Sequence, residues 1–225
     1  MFFLLMFVTA LPAYICGSLN GAIIVARLLY RKDIRDYGSG NPGLTNFYRV
    51  FGKGGALLVI LIDVLKSMTP VIFGGLLFAH FTDMVITELW PLSRFFTWAF
   101  FGQALAGFFV MLGHCFPLFY KFRGGKGVMA IGSIVIVIDW RLALISWGVF
   151  IIVTALTRYV SLGAILGSTA FPLSMVLLDI GGLAELNIII LCVLLVIARH
   201  APNIRRLVKG EESKLTFKRS KEKNE

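Results

Sequence analysis

Runs of apolar residues long enough to cross a lipid bilayer dominate this sequence. A helix rises about 1.5 Å per residue, so it needs about 20 apolar residues to cross roughly 30 Å of hydrocarbon. Five runs have about this length, and they cover approximately residues 2–29, 55–79, 95–113, 160–178 and 183–198. Because 58% of the 225 residues are hydrophobic and only 15% are charged, we predict an all-α, polytopic membrane helix bundle.

Residues 128–157 form one further apolar region, which is interrupted by Asp139, Trp140 and Arg141. The interruption leaves a short piece and a piece of ordinary length, so this region is either two spans or a re-entrant hairpin. Two spans give about seven helices in total, with the N-terminus outside and the C-terminus inside. Five spans plus a hairpin is the alternative.

The distribution of basic residues favours seven helices. With that count the inner side holds residues 27–53, residues 121–126, Arg158 and the tail from Arg199. These segments carry six, three, one and nine Lys or Arg residues, which together make 19 of the 22. Cytoplasmic loops are enriched in Lys and Arg, so the inner side is predicted to be the cytoplasm.

Two soluble functions are excluded by context. Residues 38–43, GSGNPG, match the G-x-G-x-x-G dinucleotide fingerprint, and Asp63 stands where its ribose-binding acid would be. That fingerprint requires a preceding strand in a βαβ unit, whereas here a charged stretch precedes it and a membrane span follows. The net charge of +10 is spread over membrane-flanking loops, so anionic headgroups and small anionic substrates are expected partners, and nucleic acid is not.

The two ends and the cysteines give simpler predictions. The N-terminus has no basic n-region and no cleavage site of small residues, so it is interpreted as a retained helix. Residues 1–214 are predicted to form one membrane domain, and residues 215–225 a solvated, disordered basic tail. Cys16, Cys115 and Cys192 form no C-x-x-C pair, so they indicate packing rather than a disulfide framework or a metal site.

Two predicted inner loops combine glycines with cations. The first runs from Gly38 to Asn46 and is followed by Arg49, and the second is Gly124-Gly125-Lys126-Gly127. The N–H groups of such loops converge on oxyanions, and a helix beginning near Thr45 would add its positive end. A Walker A site is excluded, because Tyr120 stands where its first glycine should be and Gly127 where its hydroxyl should be.

Ionisable and polar residues add two further candidate pairs. Asp63 and Lys66 are three residues apart in a membrane span, so they share a helix face as a compensating pair or as part of a functional cavity. His200 and Asn203 have the same spacing directly after the last span. The scattered positions of His80, His114 and His200 give no metal site.

These motifs together resemble those of the bacterial acyl-phosphate:glycerol-3-phosphate acyltransferases, the PlsY family. The resemblance extends from Gly17 to Lys214. It is carried by GSGNPGLTN with Arg49, by GHCFP running into GGKG, by RYVSL at 158–162, and by HAPNIRRL at 200–207 with Gly210, Glu212 and Lys214. The departures are small: Cys115 stands where Asn is common, Arg123 where Lys is common, and Ser67 where Gly is usual.

The resemblance implies transfer of a fatty acyl group from acyl phosphate to the sn-1 hydroxyl of glycerol-3-phosphate, which gives lysophosphatidic acid and phosphate. It implies an enzyme of the bacterial inner membrane with seven helices, no metal or other cofactor, and no acyl-CoA or acyl carrier protein as donor. No obligatory protein partner is evident from the sequence. It also implies the site residues. The catalytic group is Ser39, Arg49, Lys126, Ser161, His200 and Asn203. The substrate-binding group is Gly38, Gly40, Asn41, Gly43, Thr45, Asn46, Gly124, Gly125, Gly127, Arg206 and Glu212. We expect Asp63, Lys66 and His114 to lie behind these residues and to hold them in place.

A transporter or flippase of a phosphorylated metabolite or lipid is the alternative function, since it would also need anion-binding loops and buried charges. Such proteins often carry inverted repeats, and the loop at 38–46 has no counterpart at matching spacing. A purely structural membrane subunit ranks third, because it leaves the cationic loops without a purpose. The predicted outer loop at 80–94 has no assigned role.

Overall fold

The computed structural model describes residues 1–86 and 98–215, with the side chains of residues 82–86 left aside. These two ranges contain ten α-helices and no strand. The helices are α1 Phe2–Gly17, α2 Gly21–Tyr30, α3 Leu44–Phe51, α4 Ala56–Ile86, α5 Trp98–Cys115, α6 Val128–Ile138, α7 Trp140–Thr157, α8 Val160–Leu177, α9 Leu183–Arg199 and α10 Ala201–Val208. The all-α prediction is confirmed. Most of the predicted 80–94 loop, and the tail beyond residue 215, lie outside the described residues.

Five helical segments in the described ranges are long and apolar enough to cross a membrane. They are Phe2–Tyr30, Ala56–Phe81, Trp98–Tyr120, Trp140–Thr157 and Val160–Leu177. The pair of α9 and α10, bent by 58°, gives a sixth if it is counted as one span. Helix α6 has 11 residues and rises only about 16 Å, so it is too short to cross a membrane by itself. The membrane helix bundle is therefore confirmed, with five or six candidate spans by length and composition. The count of seven and the sides of the two termini stay predictions.

The helix break predicted near residues 139–141 falls at Asp139, which ends α6 and begins α7. Its carboxylate accepts a hydrogen bond from the backbone N–H of Arg141 at 2.7 Å, which caps α7. The Trp147 indole N–H donates to the carbonyl of Gly132 at 3.1 Å. These two residues lie almost equally far from the break, so α6 and α7 pack side by side as a hairpin with one short and one ordinary arm.

A second break, between α1 and α2, connects the two glycine-rich loops to the bundle. The side-chain oxygen of Asn20 accepts a hydrogen bond from the backbone N–H of Ile23 at 2.9 Å, which caps α2. The side-chain amide N–H of Asn20 donates to the carbonyl of Pro42 at 3.0 Å. The Ser18 hydroxyl accepts a hydrogen bond from the N–H of Leu118 at 3.2 Å. The bond from Asn20 to Pro42 thus reaches the first loop, and the bond from Leu118 to Ser18 reaches the segment that leads to the second loop.

Glycines let the central helix α5 pack closely against its neighbours. A Cβ added to Gly17 of α1 would lie 2.4 Å from the carbonyl oxygen of Val110, and one added to Gly102 would lie 2.2 Å from that of Gly74 on α4. Small residues at such crossings let helix backbones approach in lipid, where no hydrophobic force drives helices together. The resulting core holds α5 between α1, α4, α6 and α9.

Candidate active site

The second glycine-rich loop is held from two sides. The N–H of Gly125 donates to the carbonyl of His114 at 3.1 Å. From the opposite direction, the Arg199 guanidinium donates to the carbonyls of Gly125 at 3.0 Å and Gly124 at 2.8 Å. Because these carbonyls face Arg199, the next N–H group, that of Lys126, points the other way.

Helix α6 begins directly after this loop and adds unpaired N–H groups. Gly127 precedes the helix with φ +83°, a conformation that favours glycine, and no side chain caps the helix. The N–H of Ile131 makes the first helical bond, to the carbonyl of Gly127. The preceding N–H groups at the start of the helix are therefore available to an anion.

Lys126 lies in the centre of a polar cluster. Its ammonium donates to the amide oxygen of Asn203 at 2.6 Å. Burial lowers the pKa of Lys126. The negative charge of Glu212 opposes this shift, while the positive charges of Arg206, Arg199 and Arg49 reinforce it. Asn203 in turn donates to Glu212, and Arg49 of the first loop lies 3.5 Å from the hydroxyl of Ser213, the next residue. The cations of the two predicted loops therefore approach the same C-terminal segment.

Glu212 connects three of the predicted site residues. One carboxylate oxygen accepts hydrogen bonds from the Ser161 hydroxyl at 2.8 Å and the Asn203 amide at 2.6 Å, and the other accepts from Arg206 at 2.7 Å. Partial burial would raise its pKa, but these three hydrogen bonds outweigh burial and lower it. A carboxylate repels phosphate, so this geometry favours a positioning role for Glu212 over direct substrate contact.

Asn46 folds the first loop. It is buried, its amide oxygen accepts a hydrogen bond from the N–H of Ser39 at 2.9 Å, and its N–H donates to the carbonyl of Tyr37 at 3.0 Å. A Cβ on Gly38, which has φ +60°, would lie 2.3 Å from that amide oxygen. The amide of Asn46 is thus used by the loop itself, whereas the side chain of Ser39 remains exposed.

The rest of the first loop leads into α3. Gly40 also has a positive φ, of 70°, and the N–H of Gly43 donates to the carbonyl of Asn41 at 2.9 Å before α3 begins. Thr45 and Arg49 lie on exposed positions of α3. One Arg49 nitrogen is 3.5 Å from the hydroxyl of Ser213, so α3 contacts the same C-terminal segment that carries Glu212.

His200 lies at the bend between α9 and α10, and its side chain is buried. Its Nδ1 is 2.8 Å from the carbonyl oxygen of Val196. A carbonyl oxygen only accepts hydrogen bonds, so the proton of the ring is assigned to Nδ1 and Nε2 is left as an acceptor. An imidazole in this tautomer can accept a hydrogen bond from a hydroxyl group.

The buried pair of Asp63 and Lys66 contacts both the break after α1 and His114, which packs against the second loop. The Lys66 ammonium lies 2.7 Å from an Asp63 oxygen and 3.0 Å from His114 Nδ1, and it also donates to the carbonyl of Leu19. The same Asp63 oxygen accepts a hydrogen bond from the N–H of Gly21 at 3.1 Å. A compensating pair, one of the two interpretations of the sequence, is therefore present, and it also ties α4 to the break after α1.

His114 extends this support to the second loop. Its Nε2 would lie 2.3 Å from a Cβ placed on Gly125. Gly125 is therefore a position where no side chain fits without movement of the histidine ring. Together with the hydrogen bond between the two backbones, this contact links the buried charges to the glycine-rich loop.

Sequence reasoning missed two residues that position the site. Arg199 clamps the carbonyls of the second loop, and Asn20 ties down the first loop through Pro42. The only signal for Arg199 was its place beside His200 in a basic stretch. Asn20 could have been noticed as a polar residue that interrupts the first apolar run.

No three His, Cys, Asp or Glu side chains in residues 1–81 and 98–215 are grouped as a metal site would require. The geometry instead offers cations, hydroxyls, amides and helix N-termini. This set can hold oxyanions and align a hydroxyl nucleophile.

Comparison with known proteins identifies the family. The sequence model of the family described as glycerol-3-phosphate acyltransferase matches residues 7–210. A glycerol-3-phosphate acyltransferase of Staphylococcus carnosus is 36% identical over 92% of this chain and 96% of its own length. One from Thermoanaerobacter pseudethanolicus is 38% identical over 92% of this chain and 94% of its own length.

Two solved structures have the same fold. Both are crystal structures of PlsY, an integral membrane glycerol 3-phosphate acyltransferase. The glycerol 3-phosphate form has a TM-score of 0.78 and 28% identity, and covers 94% of this chain and 96% of that one. The lysophosphatidic acid form has a TM-score of 0.76 and 27% identity, over 94% of this chain and 95% of that one. The chain therefore belongs to the glycerol-3-phosphate acyltransferase family.

Proposed function

We propose that this protein transfers a fatty acyl group from acyl phosphate to the sn-1 hydroxyl of glycerol-3-phosphate. The products are lysophosphatidic acid and inorganic phosphate, as in the first step of phospholipid synthesis. Support comes from the family and from the glycerol 3-phosphate and lysophosphatidic acid forms of the related PlsY structure. No cofactor and no obligatory protein partner enter this proposal.

The reaction requires little covalent chemistry from the protein. Acyl phosphate is a mixed anhydride with a good leaving group. The hydroxyl oxygen attacks the carbonyl carbon, the bond from that carbon to the bridging oxygen breaks, and phosphate leaves. The hydroxyl proton passes to a phosphate oxygen. The protein therefore has to bind two phosphate groups side by side and align the hydroxyl.

The observation that carries this proposal is the hydrogen-bonded cluster of Lys126, Asn203, Glu212 and Ser161, next to which Arg49 contacts Ser213. We assign the phosphates to Lys126, Arg49 and the free N–H groups at the start of α6. Such groups, held in place before the substrate arrives, stabilise developing negative charge.

The glycerol-3-phosphate is assigned to His200 and Asn203, and Ser39 and Ser161 orient the substrates through their hydroxyls. His200 Nε2 would accept the hydrogen bond of the substrate hydroxyl. The remaining substrate-binding residues predicted from the sequence are part of the same proposal, except that Asn46 acts by holding Ser39 and Glu212 acts through Ser161 and Asn203.

We further propose seven spans in a bacterial inner membrane, with the N-terminus outside and the site on the cytoplasmic side. The support is the charge distribution, because the site cations lie in the segments that hold 19 of the 22 basic residues. Residues 1–214 would be one membrane domain, and anionic lipids would contact its basic inner face.

The test is turnover by purified protein in lipid or detergent. Glycerol-3-phosphate should be converted to lysophosphatidic acid when acyl phosphate is the donor, and no product should form from acyl-CoA. Equal or faster turnover with acyl-CoA would contradict the donor assignment. Transport of labelled glycerol-3-phosphate into vesicles without acylation would support the alternative of a transporter.

A further inference from the structure

Two consecutive residues with left-handed backbone angles precede the second glycine-rich loop. Lys121 has φ +57° and Phe122 has φ +56°, and both lie in the turn of residues 117–123. Residues with a Cβ adopt this conformation at a cost, and bulky side chains rarely adopt it. The N–H of Phe122 donates to the carbonyl of Pro117 at 3.0 Å within the turn. This strained turn sets where the chain enters the second loop, so contacts that hold the turn also place that loop.

The approach to the first loop supplies such a contact through Arg35. The guanidinium of Arg35 donates to the carbonyl of Tyr120 in the strained turn at 2.9 Å and lies 5.9 Å from the centre of the Tyr120 ring. Arg35 belongs to the short helical turn Ile34–Asp36, which ends two residues before Gly38, and the side chain of Ile34 is completely buried. Because Ile34 anchors this helical turn in the protein interior, the hydrogen bond joins the approach to the first loop to the approach to the second.

Asp33 fixes the direction of the Arg35 side chain. Its carboxylate accepts hydrogen bonds from Arg35 Nε at 2.9 Å and from Nη2 at 2.8 Å, which leaves Nη1 to reach Tyr120. Arg27 in the last turn of α2 donates to the same carboxylate at 2.8 Å. The hydrogen bond from Arg35 contributes most to lowering the pKa of Asp33, so the carboxylate stays charged at neutral pH. A planar guanidinium can make these three bonds at once, whereas a lysine ammonium on a flexible chain cannot keep the same geometry.

We propose that Arg35 is a positioning residue for acyl transfer, which holds the strained turn and thereby fixes the spacing of the two glycine-rich loops. The effect on catalysis rests on the proposed function, because that spacing matters for two phosphates bound side by side. Each of the three guanidinium nitrogens already donates to a protein oxygen, so no substrate contact is assigned to Arg35. Its contribution lies in the alignment of the bound substrates and not in their binding.

The first experiment is the substitution Arg35→Lys, which keeps the positive charge and removes the planar fork. We expect kcat to fall roughly 10- to 100-fold, because small misplacements of bound reactants have effects of this size. The KM values for glycerol-3-phosphate and acyl phosphate should stay within about twofold, because each substrate keeps its own contacts. The matched control is Arg31→Lys, since Arg31 is exposed in the same segment. A wild-type kcat in Arg35→Lys, or a large rise of either KM, would overturn the proposal.

A second experiment tests whether the strained turn is what Arg35 holds. Asn tolerates the left-handed conformation better than most residues with a Cβ, so Lys121→Asn should keep the turn in place when Arg35 is replaced. In the Arg35→Lys background, Lys121→Asn should raise kcat about fivefold. Lys121→Gln removes the same charge without that conformational preference, so it should give no such recovery. Equal effects of the two substitutions at position 121 would overturn the role of the turn.

A third measurement does not depend on turnover. Spin labels on cysteines placed at Tyr48 of α3 and at Arg123, both exposed, report the spacing of the two loops by double electron–electron resonance in protein whose native cysteines are replaced. Arg35→Lys should broaden or shift the distance distribution, and adding Lys121→Asn should narrow it again. An unchanged distribution would overturn the proposal. A changed distribution in a protein with no activity towards acyl phosphate would uphold the positioning of the loops by Arg35 and reject the proposed function.

Discussion

At the scale of single residues, Lys126 has the environment of a functional cation. It is partly buried, it donates to Asn203, and three arginines act on its charge. The Glu212 carboxylate offsets only part of the positive charge of Lys126 and these arginines, and a substrate phosphate would neutralise the excess. Loss of such a preorganised partner usually weakens transition-state binding by about 3 kcal/mol.

We therefore expect Lys126→Ala to lower kcat/KM by roughly 10²-fold or more, which steady-state kinetics would measure. Arg123→Ala is the matched control, because Arg123 is exposed in the same loop region. Near-wild-type turnover in Lys126→Ala would remove this residue from the site.

The pH dependence follows from the same environment. Burial moves the pKa of Lys126 below its ordinary value of 10.5. The ammonium form predominates below that lowered pKa and is lost as the pH rises through it. The alkaline decline of kcat/KM should thus begin below pH 10.5 and should move to higher pH in Lys126→Arg, because arginine stays charged. Superimposable alkaline profiles of the two proteins would contradict this assignment.

At the scale of elements, the segment that follows α10, residues 209–215, forms a strap that is hydrogen-bonded to the residues of the candidate site. Glu212 joins it to α8 and α10, and the N–H of Leu215 donates to the carbonyl of Arg158 at 2.7 Å. Because the Glu212 pKa is lowered, its carboxylate stabilises the strap above the ordinary pKa of 4.5, and this contribution is lost as the pH falls through the lowered value.

We expect Glu212→Ala to release the strap, so that limited proteolysis cuts near residues 211–215 faster than in the wild type. Activity should fall as well, because Ser161 and Asn203 lose their common acceptor. The neighbouring Glu211 is exposed and offers the matched control Glu211→Ala. Equal cleavage rates in the two variants would show that Glu212 does not hold the strap.

At the scale of the whole molecule, the topology depends on the hairpin of α6 and α7. We expect Trp140, which is 67% exposed at the turn, to lie on the outer side, and Asn41 and Arg123 to share the inner side. Single cysteines at these positions, with Cys16, Cys115 and Cys192 replaced, can be labelled with a membrane-impermeant thiol reagent. Labelling of position 140 in intact cells would support seven spans. Protection of position 140 there would favour the re-entrant hairpin, and labels on 41 and 123 from opposite sides would refute the single-site proposal.

The sequence by itself determined the all-helical membrane class, the break at Asp139 and the glycine-bearing loops, because each depends on local patterns. Apolar run length, a charged interruption and glycine with lysine can be recognised within a few tens of residues. Only the tertiary structure decided how the loops are held. Arg199 reaches Gly124 and Gly125 across 75 and 74 residues, and Lys126 reaches Asn203 across 77. The packing of the helices brings these partners together, and no periodicity along the chain encodes such pairings.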